Sequence, residues 1–319
     1  MKGKPLSEIQ REMRSFLGEA TYRELHRENL LLDVLAVALP LSSFFAIIAV
    51  IGRPGVSGPW KVGLVLLQGW LMTIMGLVNH DVFVHRRRWG GLMGWFLSAL
   101  LFGVLTIRTT AYGVVHLRHH GKVGTDDDPE VYKQDVDTVA KRWLFATILG
   151  FKLGTSGKWS KSGAAYMRFR PPSREIRWRL KAEVVLVLVM LALFAAYAYF
   201  VSWQAVVLGY LAPMFLVVPL LNSIRIIIEH ADIEPENPYS LATNYRTGWF
   251  TQALFLADSG DCHLVHHLYP RVPYYRVRAA LRAMQPFFKQ KKLAQRTSYP
   301  KLLGGWFVKG YAHRTAWPQ

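Results

Sequence analysis

Residues 184–224 read VVLVLVMLALFAAYAYFVSWQAVVLGYLAPMFLVVPLLNSI, forty-one residues without one charge. A helix rises about 1.5 Å per residue, so crossing a bilayer core takes about 20 apolar residues, with a working range of about 17–25. The stretch is twice that length. It therefore predicts two membrane-spanning helices, with Val201-Ser202-Trp203-Gln204 as the turn between them. Pro213 and Pro219 are expected to kink the returning helix. Tyr197, Tyr199, Trp203 and Tyr210 fall where an aromatic belt at the membrane–water interface would sit.

The same pattern recurs upstream. Val34 to Gly52 is nineteen uncharged residues and Val62 to Asn79 is eighteen, separated by a short turn from Arg53-Pro54-Gly55 to Pro59. These two runs predict a tight hairpin of spans. A third run, Gly90 to Ile107 (GGLMGWFLSALLFGVLTI), has spanning length, but His85 precedes it and His116 follows it. If those histidines share a site, both ends of the run lie on one side of the membrane. It is therefore expected to be a re-entrant hairpin or an interfacial helix, with Gly94 and Gly103 as candidate bends.

The fold class that follows is all-α integral membrane, with four transmembrane helices in two hairpins beneath a helical cap. Residues 1–29 read as a polar amphipathic segment, 30–79 as the first hairpin and 80–180 as cap. Residues 181–229 read as the second hairpin and 230–319 as further cap and tail. The stretches 121–180 and 231–319 are polar, basic and loop-rich, with a short amphipathic piece at Trp143–Leu153. No internal repeat or low-complexity tract is visible.

The charge pattern orients this fold. The chain of 319 residues is 51% hydrophobic and 19% charged, with a formal net charge of +18. The loops around residues 53–61 and 201–204 hold only Arg53 and Lys61. The N-terminal segment, Arg86-Arg87-Arg88, residues 141–181 and the C-terminal region hold almost all other Lys and Arg. Positive residues stay on the cytoplasmic side, so both termini and the histidine-rich regions are expected there. A basic protein can also seek nucleic acid, but these basic clusters flank apolar runs and match none of the recognised nucleic-acid motifs. The first thirty residues are polar and charged and do not read as a cleavable signal peptide. Cys262 is the only cysteine, which excludes an intrachain disulfide and any multi-cysteine zinc site.

Nine of the eleven histidines lie in four short places: His80 and His85; His116, His119 and His120; His230; and His263, His266 and His267. On a helix each residue advances about 100°, so the first and fourth residues of H-x-x-H-H are about 60° apart and the first and fifth about 40° apart. All three imidazoles share a face, while the adjacent pair diverges enough to serve two neighbouring ions. His80 and His85 are about 140° apart on a regular helix, so they converge only if the helix ends or bends there. Imidazole suits iron, copper, nickel and zinc. Eight or nine histidines are too many for one ion, and two ions is the simplest count. Soluble di-iron bundles use carboxylates with Glu-x-x-His pairs, which the spans here lack.

His26 and His313 stand apart and read as ordinary surface or core histidines. His230 is a candidate by its position at the end of a span. Glu229 beside it reads either as a partner to a ligand or as a helix-end charge. Asp81, Asp258 and Asp261 are candidates to hold the second nitrogen of a ligand imidazole, or are simply solvated. Cys262 precedes a candidate ligand, but a lone cysteine is more often inert.

The sequence resembles the membrane fatty acid desaturase superfamily, which includes related hydroxylases and carotenoid ketolases. The resemblance rests on three histidine boxes in order: His80-x4-His85, His116-x2-His119-His120 and His263-x2-His266-His267. The strings HHGKVGTDDDPE, EHADIEPENP, TNYRT and HHLYPRVPYYRV resemble the text around those boxes, the last of them in bacterial members, and the likeness covers about residues 60–280. It implies a mushroom of four spans under a cytosolic cap, with the eight boxed histidines and His230 holding a non-haem di-iron centre. It also implies dioxygen as co-substrate, hydrogen abstraction from an unactivated C–H bond, and a bacterial inner membrane as location. Electrons would come from a separate donor of ferredoxin, rubredoxin or cytochrome type, since the chain has no His-Pro-Gly-Gly string and no cysteine pair. One position departs from the pattern: where some acyl desaturases have Asn four residues before the isolated His, this chain has Ile226. Asn222 and Asn244 are nearby, and a part for either in the metal shell stays open.

The leading expectation is desaturation of a fatty acyl or lipid chain; the alternative is hydroxylation or ketolation of a lipid, alkane or carotenoid. Histidine boxes do not separate the two. A membrane metal transporter or sensor would put ionisable residues inside the spans, and these spans are almost free of His, Asp and Glu. The substrate is expected to be long and apolar, with Gly90–Ile107 lining its access path. Arg86–Arg88 and the basic cap are expected either to hold its anionic head group or to meet lipid head groups.

Overall fold

The computed structural model describes residues 4–86, 88–123, 128–129, 173–230, 237–293, 295 and 304, and the backbone alone of 226–228 and 230. Arg87, the Trp143–Leu153 stretch, most of the cap around it and His313 lie outside the described residues. Among the described residues every regular element is a helix.

Four helices are long and apolar enough to cross a membrane. The first span comprises α2 (Glu19–Leu25) and α3 (Leu30–Ile51); the second is α4 (Gly58–Val78), prolonged by a π-helical segment, Asn79–His85. The third is α7 (Arg174–Phe200). The fourth, α8, runs through Trp203–Val206, Val207–Leu211, Pro213–Val217 and Val218–His230. The hairpin turns fall at residues 52–57 and 201–202, as the uncharged runs predict. The middle two pieces of α8 are π-helical. Proline removes one helical donor and clashes with the carbonyl four residues back. Widened turns around Pro213 accommodate it.

The outer surface of these helices is apolar. Leu188 and Leu193 of α7 are 60% and 64% exposed, and Leu39, Leu66, Leu67 and Leu216 are exposed as well. Helices with apolar residues facing outward suit a lipid surround, not water. Between them lies a core of Phe44, Ile48, Met72, Met75, Val78, Phe194 and Tyr210. Gly69 permits the closest approach: a Cβ there would lie 2.3 Å from Val217 Cβ, so α4 and α8 meet backbone to side chain.

The Gly90–Ile107 run forms one straight element, α5 (Gly91–Val104), followed by α6 (Thr109–Lys122) at 95° to it. Fourteen residues rise about 21 Å, short of a bilayer core. The chain thus leaves the histidine cluster along α5 and returns to it along α6. The expected bends at Gly94 and Gly103 are not where the chain turns. The turn is at residues 105–108, with Thr106 at φ 57°. Gly94 serves a different need: a Cβ there would strike the Trp89 carbonyl oxygen at 2.0 Å.

A second core holds the cap. The N-terminal helix α1 (Leu6–Leu17) buries Ile9 and Met13 against α10 (Asp261–Leu268) and α11 (Val277–Gln290), beside Leu264, Leu268, Met284 and Phe288. Each such side chain contributes about 1.5–3 kcal/mol. α10 carries the third histidine box, and both α1 and α11 pack against it. A short helix, α9 (Trp249–Leu254), precedes α10.

Candidate metal centre

Three separate helices deliver the boxed histidines. The π-helical segment after α4 brings His80 and His85 together, with their Nε2 atoms 3.1 Å apart. Hydrogen bonding from i to i+5 places residues five apart about one turn apart, on the same face. The widened winding lies in the last turns before the helix ends at His85. On α6, His116 and His120 are four apart, with Nε2 atoms at 3.1 Å. On α10, His263 and His267 repeat that spacing and that distance.

The boxes then converge. His80 Nε2 lies 2.7 Å from His116 Nε2, and His266 Nε2 lies 3.1 Å from His120 Nε2. One nitrogen from each of His80, His85, His116, His120 and His266 falls within 4.8 Å of all the others, and all five residues are buried. A neutral imidazole has one donor and one acceptor nitrogen. His80 Nε2 faces two other Nε2 atoms and so does His116 Nε2. One proton cannot serve two such contacts, and opposed lone pairs repel unless a cation lies between them. A metal–nitrogen bond of about 2.0–2.1 Å puts donors at right angles about 3 Å apart. The donor set and its spacing therefore fit a metal ion.

The adjacent histidine of each pair turns away. His119 lies beside His267, ring centroids 5.0 Å apart. His263, Glu229 and Asp258 form a second group that could hold an ion, with Glu229 Oε2 at 3.8 Å from His263 Nε2. His230 ends α8 next to Glu229, and its side chain lies outside the described residues. His26 stays apart. Its Nδ1 bonds Tyr22 O at 2.8 Å, and it lines a separate cleft of about 700 Å³ with Tyr22, Tyr269 and Arg271.

Carboxylates fix the rings from behind. The Nδ1–H of His263 donates to Asp258 Oδ1 at 2.7 Å, and His80 Nδ1 lies 3.4 Å from Asp258 Oδ2. His119 Nδ1 donates to Asp128 Oδ1 at 2.7 Å. A carboxylate can only accept, so Nδ1 carries the proton and Nε2 keeps its lone pair free. Burial, then the neighbouring imidazoles, pushes His120 well below the ordinary histidine range. Burial likewise holds His266 down at about 3, against the opposing pull of Asp258. Neutral imidazole is the form that binds metal.

Of the three aspartates singled out in the sequence, only Asp258 serves an imidazole. Asp81 takes Arg86, and Asp261 accepts from Thr247 Oγ1 at 2.6 Å and Thr247 N at 3.2 Å. Asp128 was not singled out. Its signal was an acidic triplet six residues after the second box. Tyr112, stacked on His116 at 5.0 Å between ring centroids, was also missed, for a tyrosine on a helix has many uses. Asn222 Oδ1 accepts from Arg225 Nη2 at 3.4 Å.

Two of the three clustered arginines, Arg86 and Arg88, are described. Arg86 is buried and paired with Asp33 at 2.6 and 3.0 Å and with Asp81 at 2.8 and 3.0 Å. Arg88 pairs with Glu28 and Asp33. Protein carboxylates enclose the Arg86 guanidinium, whose side chain is fully buried, so it is not open to a head group. A planar guanidinium suits such two-sided pairing.

Fold and site together define a multi-spanning membrane protein with a buried histidine cluster fitted for metal. A family model described as fatty acid desaturase matches residues 57–299, well over half of the chain. The chain belongs to the fatty acid desaturase family. A search among curated proteins finds no match.

Proposed function

We propose that this protein is a di-iron oxidoreductase that desaturates a fatty acyl or lipid chain, with dioxygen as co-substrate. The observation that carries the reading is the convergence of His80, His85, His116, His120 and His266 from three helices in a chain of this family. Two bound irons would supply the oxidising power to remove hydrogen from an unactivated C–H bond. Those five histidines would hold one ion; His119, His263, His267 and His230, with Glu229 beside them, would hold the other. Asp258 and Asp128 keep the Nδ1 protons in place, and burial keeps water from the site.

The substrate is apolar and comes from the bilayer. Leu92, Met93 and Phe96 expose the outer face of α5 beside the first two boxes and line its approach. Both termini and the cap face the cytosol, where the basic residues gather. Electrons come from a donor of ferredoxin, rubredoxin or cytochrome type; Cys262, a lone buried cysteine, does not itself make a cysteine-ligated redox centre.

Two measurements test this. Elemental analysis of purified protein should find close to two irons per chain; stoichiometric zinc alone, without zinc exposure, sinks the reading. Lipid mass spectrometry of cells with the active protein and with the His266→Ala variant should differ by products lacking two hydrogens. Products carrying an added hydroxyl or keto oxygen instead would assign hydroxylation or ketolation.

A further inference from the structure

Residues 247–257, TGWFTQALFLA, carry no charge, although they belong to a region that otherwise reads as polar cap. They contain α9, whose first two residues are large and open: Trp249 is 74% and Phe250 62% exposed. Two aromatic side chains so exposed on one end of a six-residue helix are costly against water. The opposite side of the segment is fixed. Leu254 O accepts from Trp70 Nε1 at 3.1 Å, and Phe255 is buried in the core formed by the spanning helices, with Leu254 and Leu256 packed against it.

Trp70 sets the depth. It lies on α4, ten residues before His80, which is about 15 Å along the axis toward the middle of the span. One turn below it, Leu66 and Leu67 face outward among the apolar surface of the spans. The C-terminal end of α9 is thus tied to α4 one turn from its outward-facing leucines.

We propose that α9 is a lipid-inserted element, with Trp249 and Phe250 among the acyl chains of the leaflet on the histidine side. It is a membrane anchor outside the four spans, and it sits beside box 3. Past Leu254 the chain makes a turn with two successive non-glycine residues at positive φ, Leu256 (49°) and Ala257 (57°), and then reaches Asp258. Such a turn persists only where its surroundings hold it. The inserted helix on one side and Asp258, bound to His263 and near His80, on the other supply that hold.

The inference rests on the membrane reading of the spans, and one experiment separates the two. Cys262 is buried, so single cysteines can be added to the full-length protein: Trp249→Cys, Phe250→Cys, Leu188→Cys on α7 and Arg278→Cys on the cap. Each is labelled with a small fluorophore and placed in vesicles containing either doxyl-labelled phospholipid or aqueous iodide. Labels at 249 and 250 are expected to lose about half their fluorescence to the lipid quencher and little to iodide, as at 188, with the reverse at 278. Lipid quenching at 188 but iodide quenching at 249 and 250 overturns the insertion and leaves the spans intact. Iodide quenching at 188 as well overturns both. Iron content of the same samples gives a readout independent of either.

Discussion

His80 and His85 stand five residues apart, and their Nε2 atoms stand 3.1 Å apart. A regular helix would put them about 140° apart. The π-helical turn from Asn79 to His85 closes that gap, seen also in the Arg86 N to Asp81 O bond at 3.2 Å, which spans five residues. The second span thus carries its helix into the site without a break, and the local winding, not a loop, sets ligand geometry.

Register is accordingly expected to matter more than composition there. One alanine inserted between Phe83 and Val84 should cost about tenfold or more in metal affinity, as His85→Ala should. The protein should still insert in the membrane, because the insertion adds no polarity. Metal titration of chelator-stripped protein checks this; wild-type affinity in the insertion variant would show that the π turn is incidental.

Asp258 touches both His263 and His80, whereas Asp128 touches His119. Asp258→Ala should lower metal affinity by about 10–100-fold and affect both ions. Asp128→Ala should be milder and affect one. Stoichiometry by elemental analysis at limiting iron distinguishes them. An Asp128 variant worse than the Asp258 variant would refute this ranking.

The spans were legible because uncharged length is a strong signal: forty-one residues from Val184 allow no soluble reading. The boxed histidines were legible because H-x-x-H-H puts three rings on one helix face. Asp128 and Tyr112 were not, because one aspartate among three and one tyrosine among fourteen carry no spacing signal. The pairing of Arg86 was hidden for another reason. Its partner Asp33 lies 53 residues away on another span, and adjacency in sequence made three arginines look like one patch.

That pairing has a stability consequence. Arg86 and Asp33 side chains are both 0% exposed. A buried charge stripped of every partner costs about 3–5 kcal/mol. Asp33→Ala takes one of two carboxylates from Arg86 and leaves Asp81 bound to it, so its cost lies below that range. Asp33→Ala should still lower the thermal midpoint in detergent. Glu28→Gln breaks only the more open pair with Arg88, worth about 1 kcal/mol or less after solvent screening. Equal midpoints for the two variants would contradict the burial argument.

Glu183 ties the bent pair α5 and α6 to the third span. Its carboxyl accepts from Trp95 Nε1 of α5 at 2.8 Å and from Thr110 N of α6 at 3.1 Å, with the Thr110 hydroxyl as a further donor. Thr110 is the second residue of α6, so its N–H is one of the four that the helix itself leaves unpaired. One side chain from α7 thus caps α6 and anchors α5, six residues ahead of His116. Glu183→Ala strands these donors in an apolar setting, at about 1–3 kcal/mol each. It should lower the thermal midpoint and, because α6 carries three of the boxed histidines, the metal affinity with it. Glu183→Gln keeps one acceptor oxygen and should fall between the two. Thr110→Val, which removes the hydroxyl and leaves the N–H bond, should be milder still. If Glu183→Ala binds metal as the native protein does while melting earlier, the carboxyl stabilises the fold without placing the histidines, and α6 is held in position by its packing alone.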